Sequence, residues 1–273
     1  MPNSNLTQIQ YTQLDITTWC VTAQVSESIS HLVTGRLWNK SLWLSSCNTS
    51  YKNIIKFSSL NWQYQVATAA PRHLVPALAR KQRQRQQQRQ GVRQLLQELL
   101  KKLEIDDTLD ESSFPYRLVN SQHYVCFSHT GAGSSKQTTE SNQTNFTRLH
   151  SKIAVVISRQ RPAGIDIETN NIAWHVVKRF YSESELAILQ ELSTDQRERT
   201  AKLLWQIKES FIKVNQYTLA QGLGMDYSHL IPSLIENNKE VNSASVLNDS
   251  EDTDYQSAYR IATLQSQQTV IVF

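Results

Sequence analysis

Residues 164–168 read Gly-Ile-Asp-Ile-Glu, and further along Leu204, Ile207, Phe211 and Val214 recur at steps of three and four. The first pattern repeats every two residues. As a strand it sets Ile165 and Ile167 on one face and Gly164, Asp166 and Glu168 on the other. The second is one apolar stripe along a helix, which leaves Glu209 and Lys213 on the far side, stacked one turn apart. With Lys208, the two segments offer three carboxylates and two lysines.

Asp166 and Glu168 would stand roughly 7 Å apart on their strand, within reach of one ion, and hard oxygen donors suit Mg²⁺ or Mn²⁺. Taken alone, Asp-x-Glu is more often a polar strand face at a sheet edge. Glu209 above Lys213 is likewise a common surface pair, worth a few tenths of a kcal/mol. Trp205 reads as packing.

A third block shifts the balance. In Tyr124-Val125-Cys126-Phe127-Ser128-His129-Thr130 an apolar run ends in a Ser-His pair before a glycine-containing turn. The three blocks, a Ser-His pair, then G-x-D-x-E, then W-x-x-K-E-x-x-x-K from Trp205 to Lys213, resemble the signatures of the 4′-phosphopantetheinyl transferases. The resemblance is to the larger, pseudo-dimeric type that activates carrier proteins of fatty acid, polyketide and nonribosomal peptide synthesis. It is firm over residues 114–217 and faint elsewhere.

The resemblance implies an α+β fold of two similar α/β halves with antiparallel sheets related by a pseudo-twofold. The halves would be residues 1–160, with a helix that contacts coenzyme A and the Ser-His block, and residues 161–273, with the metal and catalytic groups. The implied reaction moves the 4′-phosphopantetheine arm of coenzyme A to a serine of an apo acyl or peptidyl carrier protein and releases 3′,5′-ADP. Asp166, Glu168 and Glu209 would hold Mg²⁺, Glu209 would also act as base, and Lys213 would serve the leaving phosphate. Lys208 would help bind the pyrophosphate, and Ser128 with His129 the 3′-phosphate. The enzyme is expected to be a cytoplasmic monomer.

Two departures stand out. Relatives often carry Gly-Lys-Pro upstream of the Ser-His block, where this chain reads Ser113-Phe114-Pro115, so Arg117 is the candidate to replace the missing cation. A Ser/Thr/Asn-rich stretch, Gly131 to Thr147, separates the Ser-His block from Ile153-Ala154-Val155-Val156-Ile157. Its composition cannot bury a core, so it reads as a surface loop that leaves the flanking strands able to pair.

A long helix is expected from near Pro76 to Leu103. Its second half carries Leu95, Leu96, Leu99, Leu100 and Leu103, and Arg85, Arg89 and Arg93 continue the leucine stripe on a helical wheel. Gly91 should weaken it there. The basic run from Arg80 to Gln90 reads in three ways: a solvated helix end, a nucleic-acid contact, or the lining of a cleft for a phosphorylated ligand. No aromatic residues interleave it, which counts against a nucleic-acid module. Relatives bear an arginine on a helix here that reaches the coenzyme A nucleotide, so Arg93, with Arg89 behind it, is the candidate.

Short strands are expected around Tyr11–Val25 and Leu42–Leu44. Capping boxes at Ser182 with Glu185 and at Ser193 with Gln196 start two helices ahead of the Trp205 segment. Asn237–Gln256 reads as a loop, and Tyr259–Leu264 with Thr269–Phe273 as a closing hairpin.

At 273 residues and 39% apolar the chain can build one large domain or two small ones, and its net charge of +4 favours an acidic partner mildly. Cys20, Cys47 and Cys126 suit reduced thiols. Neither a signal peptide nor a membrane span is expected. A carrier-binding homologue without turnover stays open beside the enzyme.

Overall fold

The computed structural model describes residues 5–26, 74–130, 150–236, 245–248, 259–264 and 268–273. By its internal contacts the chain divides into Met1–Ser28 with Gln84–Phe273, and Ile29–Arg83. Of the second unit, only the helix residues 74–83 are described. The expected strand at Leu42–Leu44 and the loop Gly131–Thr147 lie outside the described residues.

The first sheet holds β1 (Asn5–Gln13), β2 (Thr18–Ser26), β3 (Leu109–Asp110), β4 (Tyr116–Leu118), β5 (Tyr124–His129) and β6 (His150–Ser158), in the order β1-β2-β6-β5-β4-β3. The second holds β7 (Gly164–Ile167), β8 (Ser245–Asn248), β9 (Arg260–Leu264) and β10 (Thr269–Val272), in the order β7-β10-β9-β8. Every pairing is antiparallel. With α1 (Leu74–Lys102), α2 (Trp174–Phe180), α3 (Glu183–Glu191), α4 (Thr194–Asn215), α5 (Leu219–Gly224) and α6 (Ile231–Glu236), the protein is α+β.

The strand β6 explains the layering. Its residues alternate between two covered faces, which is why they read as a continuous apolar run. Ile153, Val155 and Ile157 pack with Val92, Leu95, Leu96 and Leu99 of α1. Ala154 and Val156 meet Cys20, Cys126, Ile165, Ile167 and Ile271 in a seam between the sheets. The outer face of the second sheet, through Ile261, Val270 and Val272, packs on Leu204, Ile207, Phe211 and Val214 of α4. Strand β7 thus presents its isoleucines to the seam, as its alternation predicts.

Four sequence expectations need correction. Gly91 does not merely weaken α1: a Cβ there would lie 2.7 Å from Val25 Cγ2 and 3.2 Å from Ile153 Cδ1, so its bareness lets the helix sit close on β2 and β6. The segment Trp205–Lys213 is no separate helix but the second half of α4, which runs unbroken from Thr194. The capping box at Ser182 forms in full, whereas Ser193 Oγ turns to the side-chain oxygen of Gln196 and caps no backbone N–H. Within the stretch expected as loop, Ser245–Asn248 pairs with β9 as a strand.

Candidate active site

The site is built where α4 crosses β7. A Cβ on Gly164 would fall 2.0 Å from the backbone oxygen of Ser210, so only glycine allows this approach. One turn beyond Ser210's contact, Lys213 donates to Ile165 O at 2.6 Å and to Asp166 Oδ1 at 3.1 Å. Burial works against its charge, but Asp166, Cys126 and Glu209 outweigh it and raise the ammonium's pKa. Lys213 is therefore a fixed cation at neutral pH.

Asp166 has a second donor, from the other sheet. Ser128 Oγ donates to Asp166 Oδ1 at 3.0 Å and accepts the backbone N–H of Ile167 at 3.1 Å. Glu209, half-buried on α4, has its carboxyl pKa raised by burial and by the charges of Asp166 and Glu168, against the pull of Lys213. Glu168 accepts from the backbone N–H groups of Thr169 and Asn170 at 2.8 and 2.9 Å.

Three carboxylates that repel one another form the donor set a hard divalent cation favours, because the cation removes the repulsion. The side chains fit such an ion by charge and donor type. Among the described residues, no three acidic, histidine or cysteine groups already stand close enough together to hold one.

His129, on the next position of β5, is exposed. Partial desolvation lowers its pKa, and so do the charges of Lys213, Arg89 and Arg85, against Asp166. The positive charges that act on this imidazole suit an anion in its neighbourhood. The helix α1 is held at that end by Gln88, whose Nε2 donates to Thr130 O at 2.8 Å and to Ser151 Oγ at 3.1 Å.

Three other expected site residues are engaged elsewhere. Arg93 is exposed and pairs with Glu111 at 2.6 Å while donating to Arg89 O, because the buried stripe of α1 continues through Val92 and Gln88 rather than through the arginines. Arg117 stacks on Tyr124, its register partner at the opposite end of β5 from His129, and donates to Tyr124 Oη. Lys208 is fully buried and gives its N–H donors to Glu185 and to the carbonyls of Leu223 and Met225.

Lys202 was missed. Burial lowers its pKa, Glu168 opposes that, and Lys152 adds to it. Lys202 lies seven residues before Glu209, two turns along the same helix face. Trp205 packs edge-on against Phe180, as expected.

Residues 162–268 match a family model described as ACPS, 4′-phosphopantetheinyl transferase superfamily. Over this segment the chain is similar to the 4′-phosphopantetheinyl transferase superfamily. All of β7, Lys202, Glu209 and Lys213 fall inside the matched residues, whereas Ser128 and His129 precede them. A comparison with curated proteins finds no match. Among the described residues no helix is long and apolar enough to cross a membrane.

Proposed function

We propose that the protein transfers the 4′-phosphopantetheine arm of coenzyme A to a serine of an apo acyl or peptidyl carrier protein and releases 3′,5′-ADP. The observation that carries this reading is the charge network of Asp166, Glu209 and Lys213 where α4 crosses β7, inside the segment matched to the superfamily. Transfer forms a bond from the serine oxygen to phosphorus and breaks the one to the 3′,5′-ADP oxygen. Glu209 takes the serine proton, a role its raised pKa suits at neutral pH. Lys213, held protonated, neutralises the charge that gathers on the departing phosphate.

Asp166, Glu168 and Glu209 would hold Mg²⁺, or Mn²⁺ in its place. When bound, such an ion supplies charge neutralisation for the pyrophosphate. His129 and Arg89 would receive the nucleotide phosphates, with Arg85 beside them. In this reading residues 1–160 supply the nucleotide end and residues 161–273 the reacting end, in a cytoplasmic monomer.

The test is intact-mass spectrometry of apo carrier proteins from fatty acid, polyketide and peptide synthesis after incubation with coenzyme A and Mg²⁺. Modification adds about 340 Da, the mass of the transferred arm. Carriers that all stay unmodified while the protein still binds them would favour the homologue without turnover.

A further inference from the structure

The Ser-His pair of β5 divides its labour between two sites. Adjacent strand residues face opposite ways. Val125 and Phe127 pack toward α1, whereas Cys126 lies in the seam, so alternation sends Ser128 to the seam side and His129 away from it. Ser128 is 4% exposed. A serine hydroxyl has one donor and two acceptor lone pairs. The donor is given to Asp166 Oδ1, and one acceptor takes the N–H of Ile167 on β7, an edge strand of its sheet.

We infer that Ser128 is a positioning residue for Asp166, a latch across the two sheets, and not a contact to the nucleotide. This rests on the proposed transferase reading. Two donors, Ser128 Oγ and Lys213 Nζ, converge on the same carboxylate oxygen, Oδ1. They fix the rotation of the carboxylate and leave Oδ2, among the described residues, free of hydrogen bonds for a ligand. The hydroxyl comes from one sheet and the ammonium from a helix packed on the other. The carboxylate is thereby set by the docking of the sheets, and a change at the seam reaches it through this hydroxyl as well as through the flanking isoleucines of β7. Groups that orient a ligating carboxylate matter to metal affinity nearly as much as the carboxylate itself.

The test compares Ser128→Ala and Ser128→Thr with the wild-type full-length protein in three measurements. Calorimetry gives affinities for coenzyme A and dephospho-coenzyme A, paramagnetic titration gives affinity for Mn²⁺, and steady-state transfer to an apo carrier gives kcat and KM. Ser128→Ala is expected to keep the preference for coenzyme A over dephospho-coenzyme A within about twofold. It should weaken Mn²⁺ binding and lower kcat by about 10- to 100-fold each, the usual cost of losing such a partner, with KM for coenzyme A unchanged. Ser128→Thr retains the hydroxyl and should restore Mn²⁺ affinity.

Loss of the coenzyme preference in Ser128→Ala would place the hydroxyl at the 3′-phosphate and overturn the inference. Unchanged Mn²⁺ affinity in that variant, or a wild type that binds no Mn²⁺, would overturn it too. A wild type that binds Mn²⁺ and transfers nothing defeats the transferase reading instead, and the Mn²⁺ comparison then decides the latch alone.

Discussion

Lys208 and Glu185 meet at 2.9 Å with neither side chain exposed to solvent. Glu185 also closes the capping box of α3 and accepts the N–H of Tyr227, while Lys208 lies over the rings of Tyr181 and Tyr227. The lysine of the W-x-x-K-E pattern therefore fastens α4 to α3 and to the turn around Met225. Lys208→Ala should destabilise the protein by about 3 to 5 kcal/mol, since it strands a buried carboxylate. Urea denaturation checks this. A stable variant with a raised KM for coenzyme A would return Lys208 to the pyrophosphate.

Gly164→Ala is expected to be worse tolerated than its single added methyl suggests. The obstacle is the carbonyl of Ser210, with its carbon 2.7 Å from the new Cβ, and helix backbone cannot swing aside as a side chain can. We expect a loss of about 3 kcal/mol or more. In any folded fraction α4 must lift from β7, so the bond from Lys213 to Ile165 O should break and turnover fall. Full stability and full turnover would show that the helix shifts freely at this point.

Periodicity made β7 and α4 legible, because side-chain alternation and the helical stripe are set by burial, which each segment records in its own residues. The closing hairpin was legible from two strand-like runs divided by a polar turn, and the polar stretch after β5 left that strand able to pair with β6, as it does. What a polar side chain touches was not. Arg93 and Lys208 each have the residue type a phosphate needs, but their partners Glu111 and Glu185 lie 18 and 23 positions away, and no local pattern couples them. Gly91 was misread because propensity describes an isolated helix, whereas its neighbours Val25 and Ile153 come from other strands. The strand β8 escaped notice since its four residues lie in a run whose composition is polar.

Asp107 ties the segment after α1 to the turn between β4 and β5. Its carboxylate accepts N–H groups of Thr108, Asn120 and Ser121 at 2.7 to 2.9 Å. Burial works against the charge, but these donors outweigh it and bring the pKa from 3.8 down to about 2. A carboxyl with a depressed folded-state pKa stabilises above its unfolded value and loses that contribution as pH falls through the folded one. With solvent screening of a half-exposed group, Asp107→Ala should cost about 1 kcal/mol at neutral pH. The difference from wild type should shrink between pH 4 and 2, following the values above. Equal denaturation midpoints at pH 7 would remove Asp107 from this role.

The nucleotide end is tested by separating Arg89 from Arg93. Arg89 acts on His129, whereas Arg93 is occupied by Glu111, so Arg89→Ala should weaken coenzyme A binding by about 1.5 to 3 kcal/mol and Arg93→Ala by no more than about 0.5 kcal/mol. The pH dependence distinguishes His129 from its neighbours. In the free protein partial desolvation and cations keep the imidazole pKa below its ordinary 6.5, so it is neutral at pH 8. A bound 3′-phosphate raises that pKa, and binding then takes up a proton. Affinity for coenzyme A relative to dephospho-coenzyme A should therefore rise as pH falls from about 8 to 6.5, before the phosphate itself protonates near about 6. Calorimetry across that range should show the rise in wild type and a flat ratio in His129→Ala. A ratio that does not change with pH in wild type would separate His129 from the phosphate, and a loss at Arg93 equal to that at Arg89 would mean that the Glu111 pair opens when the coenzyme binds.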